Sequence, residues 1–145
     1  MTSSTKIAII IPFYNGDRFI KDCISSIFSS DTFVGIVYIV DNSTKRSKVL
    51  ESYKGEKNIH VIKTKPAIGF GRACNVGLHL AISQQYDVGI IMNQDAIFDR
   101  KAIGMLTKNA TDSNTFGTVP ISYTYDFSSI HPKITEGYLN PVNGY

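Results

Sequence analysis

The feature that most constrains the fold is a regular alternation of short apolar runs with segments of helical periodicity. Four runs rich in β-branched residues, at 6–11, 33–41, 58–63 and 87–92, are separated by segments in which apolar residues recur at helical spacing. The first run, KIAIII, is apolar almost throughout, which is typical of a strand covered on both faces. Four β-α units in succession predict an α/β fold with a mostly parallel central sheet flanked by helices.

The helical segments differ in strength. GDRFIKDCISSIFSS, residues 16–30, has one continuous apolar stripe, and either Asn15 or Asp17 could cap this helix at its start. Further helices are predicted over residues 45–53, 70–83 and 99–109. Residues 116–122 predict a fifth strand that Pro120 weakens.

Composition excludes several classes of protein. A net charge of +3 is too small to indicate a nucleic-acid partner. The two cysteines, Cys23 and Cys74, lie in predicted helices and suggest neither a disulfide framework nor a zinc site. The apolar run at 7–11 is far shorter than the ~20 residues of a transmembrane helix, and no signal peptide precedes it. We therefore expect a soluble protein in a reducing compartment, without a transmembrane segment.

Polar side chains follow each predicted strand. In parallel α/β sheets, ligands bind outside the carboxyl ends of the strands, and in such a sheet all four groups would lie along one edge. The four groups are Pro12-Phe13-Tyr14-Asn15, Asp41-Asn42-Ser43, Lys63-Thr64-Lys65-Pro66 with the adjoining glycine-rich turn, and Asn93-Gln94-Asp95.

The group after the fourth strand has two interpretations. If the strand continues through it, Asn93 and Asp95 point the same way and could hold a hard cation such as Mg²⁺ or Mn²⁺. Alternatively, these residues are an ordinary polar exit from the strand, with Asp95 helping to cap the next element of the chain.

The groups after the first and second strands also have two interpretations each. Asp41 could accept hydrogen bonds from ring N–H groups or ribose hydroxyls, or it could form a plain Asx-turn. Phe13 or Tyr14 could bind a flat base, or both aromatic rings could fill the core.

The segment IGFGRACNVG, residues 68–77, combines glycines, a basic residue and a predicted helix start. Such a helix N-terminus suits an anion, and glycine permits close approach of a ligand. It is a poor dinucleotide fingerprint, because it comes after the third strand and has Cys74 in the third small-residue position. The alternative is a flexible loop with tight helix–strand packing at Gly77.

Taken in order, the four motifs resemble those of glycosyltransferase family 2. AIIIPFYNG resembles the family's opening strand and P-x-Y-N turn, and YIVDNST resembles its D-[ND]-[GS] element. IGFGRACNVGLHLA resembles the G-x-x-x-A-x-N-x-G segment, and IIMNQDA falls where the family has its D-x-D metal motif. The resemblance covers residues 6–120, and the GFG spelling together with Gln94 is most similar to the rhamnosyltransferase-type branch.

This resemblance implies a GT-A (Rossmann-like nucleotide-diphospho-sugar transferase) fold and an inverting transfer of a sugar from a UDP- or dTDP-sugar to a glycan or lipid-linked acceptor. It implies a weakly bound divalent cation, Mg²⁺ or Mn²⁺, and a place in bacterial polysaccharide synthesis, in the cytoplasm or at the inner face of the membrane. It also permits a homodimer. The nucleotide-sugar site would comprise Pro12, Phe13, Tyr14, Asn15, Asp41, Asn42, Ser43, Gly69, Arg72 and Asn93, and the metal site Asp95 and Asn93.

Three departures from the family pattern qualify these expectations. Asn93 replaces the first Asp of D-x-D, which weakens the metal site, and Cys74 stands where the family often has Arg, with Arg72 two positions earlier. The chain continues for 50 residues beyond Asp95, from 96 to 145. We therefore expect a donor-binding core at 1–115, an incomplete start of the acceptor side at 116–145, and a general base beyond the chain end.

Two other functions are compatible with the same pattern. A non-catalytic nucleotide-sugar-binding or interaction module would retain the fold without turnover, and Asn93 favours this alternative. A doubly wound dinucleotide-binding domain is the third hypothesis, and the position of the glycines disfavours it.

Overall fold

The computed structural model describes residues 5–111, which form four strands and four helices in strict alternation. The strands are β1 (Ile7–Phe13), β2 (Ile36–Asp41), β3 (Ile59–Lys63) and β4 (Val88–Ile91). The helices are α1 (Ile20–Phe28), α2 (Lys48–Ser52), α3 (Phe70–Ser83) and α4 (Ala102–Ala110). The predicted strand at 116–122 and the tail to residue 145 lie outside the described residues.

The four strands form one sheet in the order β3-β2-β1-β4, and every pairing is parallel. The chain proceeds outward from β1 to β3 and then crosses back past β1 to place β4 on its other side. The order of winding therefore reverses between β1 and β4, which is the point where sheets of this kind bind ligands. The predicted parallel α/β fold is confirmed.

Helices cover both faces of the sheet, as the continuous apolar sequence of β1 predicts. All seven residues of β1 are buried, and successive side chains point to opposite faces. On one face Ile9 and Ile11 pack in a core that includes the buried residues of α1, Leu50 of α2 and Ile103 of α4. On the other face Ala8, Ile10, Tyr38 and Ala81 form a second core with Leu78 of α3.

At Gly77, α3 packs closely against β1. A Cβ atom at this position would lie 2.8 Å from Ile10 Cγ1 and 3.2 Å from Ile10 Cβ, so only glycine permits this spacing without a shift. The tight packing that the sequence offered as one interpretation of Gly77 is therefore present.

Several element boundaries differ from those predicted. The third helix matches the prediction of 70–83, whereas α2 begins at Lys48 because the Ser47 hydroxyl caps it by accepting from Leu50 N–H at 3.0 Å. Neither Asn15 nor Asp17 caps α1, so this prediction was wrong. The chain turns at residues 17–19, and the N-cap of α1 is Phe19, without a side-chain cap.

No helix within residues 5–111 is both long enough and apolar enough to cross a membrane.

Candidate functional site

The ends of three neighbouring strands are level at the carboxyl edge of the sheet. Phe13 pairs with Asp41, and Asp41 pairs with Lys63, so the last residues of β1, β2 and β3 stand in one row. The backbone N–H of Met92 donates to the carbonyl of Ile10 at 2.9 Å, and the Gln94 side chain bonds to the backbone of Tyr14, so the chain leaving β4 runs beside the end of β1. All four polar groups, including Asp41 and Asp95, therefore lie at the same edge.

Asp41 is buried, with 6% of its surface exposed, and both of its carboxylate oxygens have protein partners. Oδ1 accepts from Ser43 N–H at 2.9 Å, which is the Asx-turn, and Oδ2 accepts from Lys63 Nζ at 3.0 Å. Lys63 Nζ also donates to the Ser43 carbonyl at 2.6 Å. A carboxylate can accept about four hydrogen bonds, so Asp41 keeps capacity for a ligand while its orientation is fixed.

Asn42 fixes the loop that connects β3 with α3. The side-chain Oδ1 of Asn42 accepts from the Thr64 hydroxyl at 3.0 Å and from Ile68 N–H at 2.6 Å. The backbone N–H of Asn42 donates to the Phe13 carbonyl at 2.8 Å. One buried amide side chain thus links the end of β2 to the loop that leads into α3. Nothing in the sequence pattern indicated the part played by Thr64.

A cleft of about 460 Å³ opens at this edge. It is lined by Pro12, Phe13, Tyr14, Asn42, Ala67, Gly69 and Phe70. Tyr14 is 53% exposed and Phe70 is 58% exposed, whereas Phe13 is fully buried in the core. The ring of Phe13 fills the core beneath the cleft, so of the two aromatic residues that the sequence offered for a base, Tyr14 has the exposed ring. Phe70 was missed, although an aromatic residue directly after a glycine at a helix start could have indicated it.

The first turn of α3 borders the cleft. Gly69, the N-cap, has φ 82° and ψ 167° and provides no side-chain cap, so the first N–H groups of the helix remain available to a ligand. Positive φ is the region that glycine adopts at low cost. Arg72 is exposed on the same turn and is not among the residues that line the cleft.

Asn15 and Ser43 line a neighbouring cavity of about 320 Å³ instead. The Ser43 hydroxyl accepts from Asn15 N–H at 2.8 Å, and Asn15 adopts a left-handed φ of 47°. Lys45 and Arg46 also line this cavity, and Arg46 is paired with Glu51 of α2. Of the predicted site residues, five line the cleft, two line this cavity, and four line neither: Asp41, Arg72, Asn93 and Asp95.

The chain after β4 turns instead of continuing as a strand. Ala96 N–H donates to the Asn93 carbonyl at 3.1 Å, closing a turn over residues 93–96. The argument that Asn93 and Asp95 share a strand face therefore does not apply. Both side chains are nevertheless exposed, and Gln94 between them is half-buried and contacts Tyr14.

The oxygen ligands at this turn suit a cation that is also coordinated by the substrate. No group of three or more His, Cys, Asp or Glu side chains comes together anywhere in residues 5–111. Asp95 offers one carboxylate and Asn93 one amide oxygen, both exposed. Mg²⁺ and Mn²⁺ are commonly held by one or two carboxylates together with substrate phosphates, so these residues fit such an ion.

Cys23 lies beneath the same turn. Its thiol is 3.6 Å from the Asn93 carbonyl and 3.9 Å from Met92 Sδ. Burial raises the pKa of Cys23 to about 12, and the negative charge of Asp95 contributes in the same direction. A thiol in this state is a packing residue and not a nucleophile.

Comparison with solved structures identifies the fold. S. aureus TarS 1–349 in complex with UDP superposes with a TM-score of 0.60 at 20% identity, covering 82% of this chain and 39% of that chain. The same protein with UDP-GlcNAc gives 0.61 at 21% identity, with coverage of 82% and 38%. Mannosyltransferase PcManGT from Pyrobaculum calidifontis, in complex with GDP-Man and Mn²⁺, gives 0.66 at 20% identity, with coverage of 77% and 34%. The chain thus spans about two fifths or less of the length of these proteins.

The all-parallel 3-2-1-4 sheet, the cleft at its carboxyl edge and these neighbours define a GT-A-type glycosyltransferase fold. The sequence model of glycosyl transferase family 2 matches residues 8–143, and the chain belongs to that family. The family and fold predicted from the sequence are confirmed. Among curated proteins, no sequence matches this chain.

Proposed function

We propose that this protein is an inverting glycosyltransferase, and that its residues 1–115 bind a nucleoside-diphosphate sugar. One observation carries the proposal: the cleft between Tyr14 and Phe70 lies at the same edge as Asp41 and as the turn bearing Asp95. A volume of about 460 Å³ is in the range of small-molecule sites. Such an arrangement offers an aromatic end, a carboxylate and a cation ligand to one extended molecule.

Each end of the donor finds suitable chemistry. The exposed ring of Tyr14 and that of Phe70 offer faces to a flat base, and Asp41 accepts hydrogen bonds from the base or ribose. The N–H groups at the start of α3 suit the diphosphate. A divalent cation held by Asp95 and Asn93 would neutralise charge on the leaving diphosphate.

In the proposed reaction the acceptor hydroxyl attacks the anomeric carbon of the sugar. A new bond forms between that oxygen and the carbon as the bond to the diphosphate oxygen breaks, so the configuration inverts. The acceptor proton passes to a general base, and none is assigned among residues 5–111. We propose that residues 116–145 begin the acceptor side.

The proposed nucleotide sugar and cation are suggested by the ligands bound in the structural neighbours. TarS has been solved with UDP and UDP-GlcNAc and PcManGT with GDP-Man and Mn²⁺, which supports a nucleotide-sugar donor and a divalent cation for a protein of this fold. For this chain we propose a UDP- or dTDP-sugar and Mg²⁺ or Mn²⁺, with a saccharide or lipid-linked acceptor. The proposal places the protein in the cytoplasm, including the inner face of the membrane, and permits a homodimer.

Isothermal titration calorimetry tests the proposal directly. We expect the chain to bind UDP or dTDP more tightly than GDP, with Mn²⁺ increasing the affinity. Asp41→Ala should abolish binding, whereas Asp31→Ala should not, because Asp31 is an exposed residue that pairs with Arg100 before the start of β2. Absence of binding to any nucleoside diphosphate would overturn the proposal.

A second candidate is a module that binds nucleotide sugars without transferring them. Asn93 favours it, because a neutral amide is a weaker ligand than the carboxylate usual at this position. Release of UDP from UDP-sugars, or of dTDP from dTDP-sugars, by the purified chain distinguishes the two. Measurable transfer to an acceptor excludes the module.

A further inference from the structure

The residue between the two candidate metal ligands makes an unusual contact with the cleft. Oε1 of Gln94 accepts from Tyr14 N–H at 2.8 Å, and Nε2 of Gln94 donates to the Tyr14 carbonyl at 3.2 Å. A single side-chain amide therefore satisfies both backbone polar groups of Tyr14. We refer to this contact as the Gln94–Tyr14 amide pair.

Beyond the point where the backbone pairing of β1 with β4 ends, the Gln94–Tyr14 amide pair connects the two chain segments. Pairing of β1 with β4 extends to Ile10 and Ile91, and Tyr14 lies one residue beyond the end of β1. Backbone groups beyond the last pairing need other partners, and here the Gln94 side chain supplies them. It thereby links the two strands that flank the switch point of the fold.

Gly16 makes room for the pair. A Cβ atom on this buried residue would fall within 2.7 Å of Gln94 Nε2 and even closer to Gln94 Cδ and Oε1. The same loop is held from the other side, because Asn15 N–H donates to the Ser43 hydroxyl at 2.8 Å. The segment that lines the cleft is thus fixed between the ends of β2 and β4.

We propose that Gln94 is a positioning residue that sets the place of Asp95 relative to the cleft. The inference rests on the proposed function. A donor that reaches from Tyr14 to a cation on Asp95 needs a fixed separation between the two, and Gln94 is bonded to one and adjacent in sequence to the other. Groups that orient metal ligands affect metal affinity even though they do not touch the metal.

The chemistry of the pair requires an amide of this length. Glu lacks the donor and would oppose its carboxylate to the Tyr14 carbonyl, whereas Asn is shorter by one methylene group. Met has a similar length and lacks the strong donor and acceptor. Gln94→Met therefore removes both hydrogen bonds while retaining most of the packing, and Gln94→Asn serves as a second variant should Met prevent folding.

The matched control is Gln84→Met. The Gln84 side chain accepts from the Tyr38 hydroxyl at 2.7 Å and sits at the C-cap of α3, far from the carboxyl edge. The Gln84→Met substitution removes a hydrogen bond made by a glutamine side chain, as Gln94→Met does, without changing a residue that lines the cleft. Comparable thermal midpoints for the two variants would show that the loss of stability is matched.

The decisive measurement is the ratio of UDP or dTDP affinity in Mn²⁺ to that in EDTA. We expect Gln94→Met to lower this ratio at least about tenfold, and Gln84→Met to leave it unchanged. Amide hydrogen exchange provides a second readout without nucleotide or metal. The Tyr14 N–H should exchange about tenfold faster in Gln94→Met than in the wild type.

The outcomes separate the two proposals. If the wild type binds no nucleoside diphosphate, the proposed function fails and this inference fails with it. If the wild type binds with a cation-dependent gain and Gln94→Met retains that gain, the positioning role alone is overturned. A Tyr14 amide that exchanges at the wild-type rate in Gln94→Met would also overturn it.

Discussion

The Lys63 ammonium bridges two acceptors at the end of β2, the Asp41 carboxylate at 3.0 Å and the Ser43 carbonyl at 2.6 Å. Lys63 was present in the sequence pattern only as part of a polar strand end, yet it fixes the orientation of the carboxylate proposed to contact the donor. Its side chain is 36% exposed, whereas that of Asp41 is 8% exposed. Water can therefore solvate the Lys63 ammonium when Asp41 is removed, but it reaches the Asp41 carboxylate much less when Lys63 is removed.

This asymmetry predicts unequal effects of the two single substitutions on the free energy of unfolding. Asp41→Ala leaves Ser43 N–H without its acceptor, but the Lys63 ammonium keeps the Ser43 carbonyl and reaches water, so this change should cost about 1–2 kcal/mol. Lys63→Met leaves the buried Asp41 carboxylate without its cationic partner where little water can replace it, and should cost more, about 2–3 kcal/mol. Urea denaturation of both variants and the double variant measures this difference. Equal costs would show that the unequal burial of the two side chains does not decide the stability of the variants.

Two glycines of α3 should respond oppositely to alanine. Gly77→Ala drives a methyl group into Ile10 and should destabilise the fold by about 1–3 kcal/mol, despite the better helix propensity of alanine. Gly71→Ala should stabilise by about 0.5–1 kcal/mol, because nothing lies within 4 Å of its added Cβ. Thermal and urea unfolding of the two variants provide the test. A stabilising Gly77→Ala would refute the close α3–β1 contact.

The buried thiol of Cys23 should make stability fall at alkaline pH. The pKa of Cys23 is raised from 9.0 to about 12, first by burial and then by the charge of Asp95. Between these values the unfolded chain releases the thiol proton and the folded chain keeps it, so stability is complete below pH 9 and declines towards pH 12. For one proton the slope is at most about 1.4 kcal/mol per pH unit.

The comparison of wild type with Cys23→Ala isolates this effect from that of other alkaline groups. The difference in unfolding free energy between the two proteins should shrink as the pH rises from about 8.5 to about 10.5. Native protein at about pH 8 should also react slowly with a thiol reagent, because burial raises the pKa of Cys74 as well. A thiol that reacts rapidly in the native state would contradict this prediction.

Gly16→Ala should reproduce the effect of removing Gln94. Its methyl group would occupy the place of the Gln94 side-chain amide, which is flexible and can be displaced. We therefore expect faster exchange of the Tyr14 amide and a weaker cation-dependent gain in nucleotide affinity. Adding Gln94→Met to Gly16→Ala should produce no further change, since both act through the same contact. Additive effects would indicate that Gly16 has a separate role in the loop.

Much of the architecture could be predicted because it depends on periodicity. A fully apolar β1 indicates a strand covered on both faces, and the repeated β-α order indicates parallel pairing. The helix at 70–83 was predicted to the residue, because its apolar spacing and the preceding glycine agree. The errors lie at chain turns, where Asn15 and Asp17 do not cap α1 and the strand does not continue through Asn93.

By itself, the sequence determined the order of four buried strands and the polar groups that succeed them, since side-chain alternation and helical spacing are local properties. Which of those polar groups meet was decided only by the tertiary structure. The Lys63–Asp41 pair, the Asn42 link to Ile68 and the Gln94–Tyr14 amide pair join residues that are 22, 26 and 80 positions apart. The register of the sheet and the depth of burial fix such contacts, and neither can be read from the neighbours of a residue along the chain.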